Sequence, residues 1–148
     1  MAYSNRELLA RLIKCEAGGE GDNGMKAVST VIMNRVRVPY GEYHRIDQGN
    51  IRNVIYQKGQ FDCVTSVFSG GLPNPQTIWA NPPEQIHYSI ADWALSGHRL
   101  YNTGYSLWYF NPFRPSCPYY FPYNRTGSFQ VKTGQHCFYN PTELYAQT

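Results

Sequence analysis

The sequence predicts a helix-dominated α+β fold, and two observations lead to this class. Apolar residues recur every three or four positions between residues 5 and 38, and again between residues 82 and 97. After residue 104 this period disappears, and short aromatic runs alternate with Gly and Pro, which is typical of short strands and loops. A chain of 148 residues has the size of one domain, so we expect residues 1–148 to form a single domain with a small β-ribbon.

The first two predicted helices are separated by a short Gly-rich junction. The capping-box sequence S-N-R-E and the apolar residues behind it predict a helix from Asn5 to Ala17. Asp22 or Asn23 is predicted to cap a second helix, which stops before Pro39. The junction E-A-G-G-E-G-D-N-G therefore places one Glu on each side of two glycines.

The middle of the chain is predicted to be mostly irregular. Tyr40 to Gly49 is expected to be a loop, and Asn50 to cap a short helix that ends before Gly59. The stretch Gln60 to Trp79 is rich in Gly, Pro, Ser and Asn, which indicates a long connection; such connections in compact domains are usually functional or disordered.

The last third combines one helix with short strands. Asn81 and Pro82 are predicted to start the third substantial helix, which ends at Gly97. A strand is expected over Tyr105 to Phe110, and one or two more between Gly127 and Phe138. Four prolines between Pro112 and Asn124 predict irregular structure there.

Composition limits the class of partner. A net charge of +3 without runs of Lys or Arg argues against a nucleic-acid partner, and no apolar run is long enough to cross a membrane. No amino-terminal signal peptide is recognised, so we expect synthesis in a cytoplasm. Aromatic residues make up 16% of the chain, with 13 Tyr and 3 Trp, and such rings suit contact with sugars.

Of the ten carboxylates, Glu16 and Glu20 stand out. Glu16 lies close to the apolar stripe of its helix, where partial burial would raise its pKa, as a general acid requires. The two are four residues apart, but Gly18 and Gly19 argue against an unbroken helix, so a paired-carboxylate site is not predicted.

The run L-I-K-C-E-A-G-G-E-G-D-N-G-M-K-A-V-S-T-V-I-M-N-R-V resembles the spore cortex-lytic family of bacterial cell-wall hydrolases, of SleB/CwlJ type. V-I-Y with Q-F, W-Y-F-N-P and H-C-F resemble later motifs of the family, so the resemblance covers about residues 7 to 138. The absence of a signal peptide and of a peptidoglycan-binding repeat favours the CwlJ branch. The resemblance implies a fold related to lysozyme and lytic transglycosylases, cleavage of cortex peptidoglycan during germination, and Glu16 as the catalytic residue.

Three functions remain open at this point. The first is a lytic transglycosylase, in which one Glu acts as acid and then as base after N-acetylmuramic acid and yields a 1,6-anhydro product. The second is a muramidase or glucosaminidase that uses water, for which Glu20 or Asp62 would be the base. The third is a coat-bound glycan-binding protein without catalysis. Arg35 is interpreted as structural, and the predicted substrate-binding residues are Glu20, Gln60, Phe61, Trp79, Trp108, Tyr109 and Asn111.

No metal site or required cofactor is predicted. Cys117 with His136 and Cys137 lacks the spacing of zinc modules. Four Cys without a C-x-x-C pair are too few to indicate a disulfide scaffold, so most are expected to be reduced; a Cys117 to Cys137 disulfide is a separate hypothesis. The resemblance implies an effect of calcium, a muramic-lactam-containing cortex substrate, a coat protein that localises the chain, and residence at the boundary of spore coat and cortex.

Overall fold

The structure is a computed structural model, and it describes residues 2–67, 70–121 and 124–148. Five α-helices precede a three-stranded antiparallel sheet in which β3 lies between β1 and β2. A 3-10 turn follows the fourth helix at Asp62–Val64, and another follows the sheet at Glu143–Gln147. The elements are α1 Asn5–Ala17, α2 Gly21–Arg37, α3 Gly41–Asp47, α4 Ile51–Tyr56, α5 Gln85–Leu95, β1 Trp108–Phe110, β2 Gly127–Thr133 and β3 His136–Pro141.

The α1–α2 junction turns within three residues. Helix α1 has the predicted bounds, and the Ser4 hydroxyl accepts a hydrogen bond from the Glu7 amide at 3.1 Å. Gly21 then has a φ of +79°, which favours glycine, and the chain enters α2 at once. The predicted cap of α2 is wrong: Glu20 is the N-cap, and Asp22 lies in the first turn, where it pairs with Lys26 at 3.0 Å.

Two further boundaries differ from the prediction. The expected loop over residues 40–49 contains helix α3, which the pattern did not reveal because only two of its seven residues are buried. Helix α5 begins at Gln85 rather than near Pro82. Its start is fixed by a capping box in which Glu84, the N-cap, donates its amide to Nδ1 of His87 at 2.9 Å.

Two hydrophobic clusters form the interior. The larger is built mainly from α1, α2, α4 and α5, and Phe138 from the sheet joins it. The smaller lies between α3 and the sheet and contains Tyr43, Trp108, Tyr139 and Tyr145. Tyr109 pairs with Phe138 across β1 and β3, so the sheet edge next to the helices carries a Tyr whose ring reaches toward α1.

All four cysteines form disulfides, so the expectation that most are reduced is wrong. Cys15 at the end of α1 bonds to Cys63, and the hypothesised Cys117–Cys137 disulfide is present. The paired cysteines are 48 and 20 residues apart in sequence, so no short motif indicates either pairing. Only the tertiary fold brings the sulfur atoms together.

No helix in the described ranges is both long and apolar enough to cross a membrane.

Asp47, at the end of α3, provides a test of stability against pH. The residue is 1% exposed, and burial raises the pKa of its carboxyl to about 6, opposed by the charge of Arg35 and reinforced by that of Glu42. The folded chain therefore holds this proton more tightly than the unfolded chain, and the free energy of unfolding falls as pH rises from 3.8 to about 6. We expect Asp47→Asn to remove up to about 3 kcal/mol of this fall in urea unfolding.

The matched control for Asp47→Asn is Asp22→Asn, since Asp22 is an exposed carboxylate. Equal pH dependence of the free energy of unfolding in the two variants would contradict the assignment to Asp47.

Candidate active site

Glu16 lies in the last turn of α1 and lines a cleft of about 640 Å³. The α1–α2 junction forms one wall of this cleft, from Lys14 to Glu20. Pro75 and Gln76 contribute from the long connection, and Asn111 and His136 come from the sheet side. A carboxyl group therefore lies on an open, polar cleft that several segments, far apart in the chain, build together.

The Glu16 carboxyl has a direct partner in Tyr109. The Tyr109 hydroxyl donates to Oε1 of Glu16 at 2.5 Å, across 93 positions of sequence. The Tyr109 ring stacks on Phe138 with centroids 5.7 Å apart and meets the edge of His136 at 5.3 Å. The sheet thus fixes the tyrosine, and the tyrosine fixes the orientation of the carboxyl.

The surroundings of Glu16 favour its protonated form. Burial raises the pKa of its carboxyl above the ordinary value, while the Tyr109 hydroxyl and the positive charge of Arg35 oppose this and the charge of Asp62 adds to it. The same burial, together with the Glu16 charge, raises the pKa of Tyr109 well above 10, so this phenol stays a hydrogen-bond donor. A raised pKa favours the proton-carrying form of a cleft carboxyl, which is the form that a general acid needs.

Arg35 has the structural role predicted from the sequence. Its Nε donates to the carbonyl of Leu107 at 2.7 Å, and its guanidinium lies over the rings of Tyr43 and Phe61 at 4.8 and 5.1 Å. The side chain is 5% exposed, so its positive charge acts on Glu16 from beneath the cleft.

Glu20 anchors the turn between β2 and β3. Its Oε1 lies 2.7 Å from Nδ1 of His136 and accepts a hydrogen bond from the Gln135 amide at 3.2 Å. The Glu20 carboxylate is therefore held against the sheet. The same carboxylate lines the cleft, so a substrate contact by Glu20 stays a prediction.

The other predicted substrate-binding residues fall into separate places. Asn111 lines the main cleft, whereas Tyr109 lines a second cleft of about 370 Å³ together with Gln60 and Trp108. Trp79 is 46% exposed and lines neither of these two clefts. For the last three, and for Tyr109, glycan binding stays a prediction.

Two of these aromatic residues pack inside the protein. Phe61 is 3% exposed and belongs to the larger cluster, so its predicted sugar contact conflicts with its position. Trp108 is 7% exposed and stacks on Phe121 in the smaller cluster, because adjacent strand residues point to opposite faces and the neighbouring Tyr109 points toward Glu16.

Several residues that line the cleft were not predicted from the sequence to belong to the substrate-binding site. Lys14, Gln76, His87 and His136 line the cleft, but they lie in four segments far apart in the chain: α1, the long connection, α5 and β3. The H-C-F motif pointed to the strand that carries His136 without indicating its pairing with Glu20. Over the described ranges, no three His, Cys, Asp or Glu side chains are grouped so as to hold a metal ion.

Removing the Tyr109 hydroxyl tests its effect on Glu16. A general acid loses activity as pH rises through its pKa, and the hydroxyl lowers that pKa. We expect Tyr109→Phe to move the alkaline limb of the pH–activity profile to higher pH and to reduce the rate at neutral pH about tenfold, because a hydrogen bond to a charged group is lost.

The matched control is Tyr105→Phe, since Tyr105 is 69% exposed and lines neither the main cleft nor the second one. An alkaline limb that does not move in Tyr109→Phe would show that the hydroxyl does not tune the carboxyl.

The chain was compared with known proteins. A family model described as Cell Wall Hydrolase matches residues 19–139, which include Glu20, Tyr109 and His136 and begin just after Glu16. Cell wall hydrolase CwlJ of Bacillus subtilis strain 168 is 32% identical over 136 residues, or 92% of this chain and 84% of that protein. CwlJ of Halalkalibacterium halodurans is 31% identical over 137 residues, with coverages of 92% and 85%.

Two solved structures align with this chain over most of its length. The catalytic domain of the germination-specific lytic transglycosylase SleB from Bacillus anthracis aligns with a TM-score of 0.64 at 24% identity, over 94% of this chain and 98% of that one. The Bacillus cereus SleB catalytic domain aligns with the same TM-score at 25% identity, over 94% and 93%. The predicted helix-dominated, lysozyme-like fold is confirmed, and the chain belongs to the cell wall hydrolase family of enzymes.

Proposed function

We propose that this chain cleaves the glycan strands of spore cortex peptidoglycan as a lytic transglycosylase, with Glu16 as the general acid and then the general base. The observation that carries the proposal is one half-buried carboxyl on a polar cleft, its pKa raised by burial and its orientation fixed by Tyr109. The names of the SleB structures and the CwlJ relatives support the substrate class.

The chemistry needs only this carboxyl. Glu16 donates its proton to the glycosidic oxygen that follows N-acetylmuramic acid, and the bond from that sugar's C1 to the oxygen breaks. The 2-acetamido oxygen of the same sugar stabilises the positive charge at C1. The C6 hydroxyl then bonds to C1 and returns a proton to Glu16, which leaves a 1,6-anhydro sugar and the protonated enzyme.

The contacts of Glu20 support this route over one that uses water. A water-activating base needs a free carboxylate on the cleft, whereas Glu20 already contacts His136 and the Gln135 amide. Tyr109, which donates to Glu16, can hold the ionised carboxylate between the two proton transfers. We assign Lys14 and Asn111, which line the cleft, to hydrogen bonds with the sugars.

A second candidate is hydrolysis with Asp62 as the base. This carboxylate is exposed, and its charge raises the pKa of the Glu16 carboxyl, so the two groups interact. Water activated by Asp62 would add to C1 in place of the C6 hydroxyl and give a reducing sugar.

Mass spectrometry of digested cortex glycan separates these functions. We expect 1,6-anhydro products from the unmodified chain and from Asp62→Asn, and none from Glu16→Gln. Products 18 Da heavier than the 1,6-anhydro sugars, formed by the unmodified chain and absent from the Asp62→Asn digest, would indicate hydrolysis in place of the lytic reaction. Glycan binding by the unmodified chain without any cleavage would favour the coat-bound binding protein.

The remaining expectations concern the setting of the enzyme. The calcium effect, the localising coat protein, the requirement for muramic lactam and the position between coat and cortex stay predictions. Digestion of cortex with and without calcium, and of walls without muramic lactam, tests two of them directly.

A further inference from the structure

A third pocket, of about 370 Å³, lies at the opposite end of α2 from Glu16. Arg37 and Arg99 line it together with apolar groups of Val38, Pro39 and Leu107. Sixteen residue steps separate the two ends of α2, which corresponds to about 24 Å at 1.5 Å per residue. This arginine pocket, defined by Arg37 and Arg99, is therefore separate from the glycan cleft.

Neutral groups hold both guanidiniums in place. Nη2 of Arg37 donates to the carbonyl of Ala94 at 3.0 Å, and Nε of Arg99 donates to Oδ1 of Asn34 at 2.8 Å. The Arg99 guanidinium also lies over the ring of Tyr105, 4.6 Å from its centroid. Neither Asp nor Glu occurs among the described residues that line the pocket.

The two positive charges repel each other without compensation. Burial and the charge of Arg99 together lower the pKa of Arg37. Nη1 of Arg37 is buried and has no hydrogen-bond partner among the residues that the structure describes, and such an atom costs free energy comparable to a lost hydrogen bond. An anion bound in the pocket would offset the repulsion between the two guanidiniums, because it neutralises positive charge and accepts hydrogen bonds from their N–H groups.

We propose that the arginine pocket binds a carboxylate carried on a small apolar body. A planar guanidinium presents parallel N–H groups that match the two oxygens of a carboxylate. The apolar walls suit a hydrocarbon group beside the carboxylate, and they provide few partners for the further oxygens of a phosphate. Amide and carbonyl contacts hold both arginines in the absence of ligand, so little order is lost on binding.

Titration of the whole chain with three probes tests this site. Isobutyrate supplies the carboxylate and the apolar body, isobutyramide is its uncharged analogue, and inorganic phosphate is an anion without an apolar body. We expect saturable binding of isobutyrate, with NMR shifts confined to the arginine pocket, no saturable binding of isobutyramide, and weaker binding of phosphate.

Substitutions assign the binding to the two arginines. We expect Arg99→Gln to weaken isobutyrate binding about tenfold, the effect of one charge-assisted hydrogen bond, whereas Arg114→Gln, which removes an exposed charge elsewhere, leaves it within about twofold. Arg37→Lys keeps the charge and loses the planar group, so it should also weaken binding. Glu16→Gln should bind isobutyrate normally, which keeps this proposal independent of the glycan chemistry.

Four outcomes would overturn the assignment. Equal binding of isobutyrate and isobutyramide would show that charge is not recognised. Equal losses of isobutyrate binding in Arg99→Gln and Arg114→Gln would show that binding depends on the net charge of the chain and not on the arginine pocket. Tighter binding of phosphate, or no saturable binding of isobutyrate by the folded chain, would exclude a carboxylate site.

Discussion

Replacement of Glu16 by Gln is expected to reduce cleavage of cortex glycan by at least about 10³-fold, because the variant has no proton to transfer to the glycosidic oxygen and no base to receive one. The amide has nearly the size of the carboxyl and keeps an oxygen that can accept the hydrogen bond from Tyr109, now 2.5 Å from Glu16 Oε1. The fold should therefore persist, and the loss should appear in the rate of turbidity decrease of a cortex suspension.

Two controls make the Glu16→Gln result specific. Glu143→Gln removes a carboxylate outside the residues that line the main cleft and should retain full activity. Glu16→Asp keeps an acid but shortens its reach, so its residual rate should lie between the other two. A Glu16→Gln chain that is folded and within about tenfold of the normal rate would exclude Glu16 as the acid.

The Cys15–Cys63 disulfide is expected to contribute more stability than the Cys117–Cys137 disulfide. In the chain-entropy model a cross-link stabilises by restricting the unfolded chain, and the restriction grows with the length of the closed loop. Separations of 48 and 20 residues give about 4 and about 3 kcal/mol. Urea unfolding of the Cys15→Ser, Cys63→Ser double variant and of the Cys117→Ser, Cys137→Ser double variant measures both values.

The first disulfide also carries a prediction about activity. Cys15 precedes Glu16, and Cys63 lies in the connection that supplies Pro75 and Gln76 to the cleft. Loss of this bond should therefore lower the cleavage rate of the folded enzyme as well as its stability. The second disulfide joins residues outside the main cleft, so its loss should affect stability alone. Equal rates for the two folded double variants would contradict this distinction.

Local signals allowed much of the helical part to be predicted. Helix α1 matched at both ends because its capping box and apolar period agree, and α4 follows Asn50 as expected. Helix α3 was missed because its seven residues carry too few buried positions to show a period. The start of α5 was misplaced because Pro82 is a common first helical residue, whereas the reciprocal Glu84–His87 bonds decide the boundary.

Site residues could be predicted only where a single segment of the sequence carries the pattern that identifies them. Glu16 was selected from the pattern of its own helix and from the family motif around it. The partner of Glu16 lies on a strand 93 positions away, and a partner of Glu20 lies in the β2–β3 turn 115 positions away, and no periodicity encodes such contacts. Tyr109 and Trp108 were proposed together for the cleft, but the alternation of a strand sends neighbouring side chains to opposite faces, and only the packed sheet shows which one faces Glu16.

The distance in sequence between Glu16 and Tyr109 has a consequence for biosynthesis. The residues that orient the acid emerge from the ribosome long after the acid itself, and contacts between distant segments form late in folding. A nascent chain that ends before β1 can fold helices but lacks the tyrosine that orients the carboxyl. We expect release of progressively longer chains to yield lytic activity only once β1 and β3 are both present, so the enzyme stays inactive throughout most of its own translation.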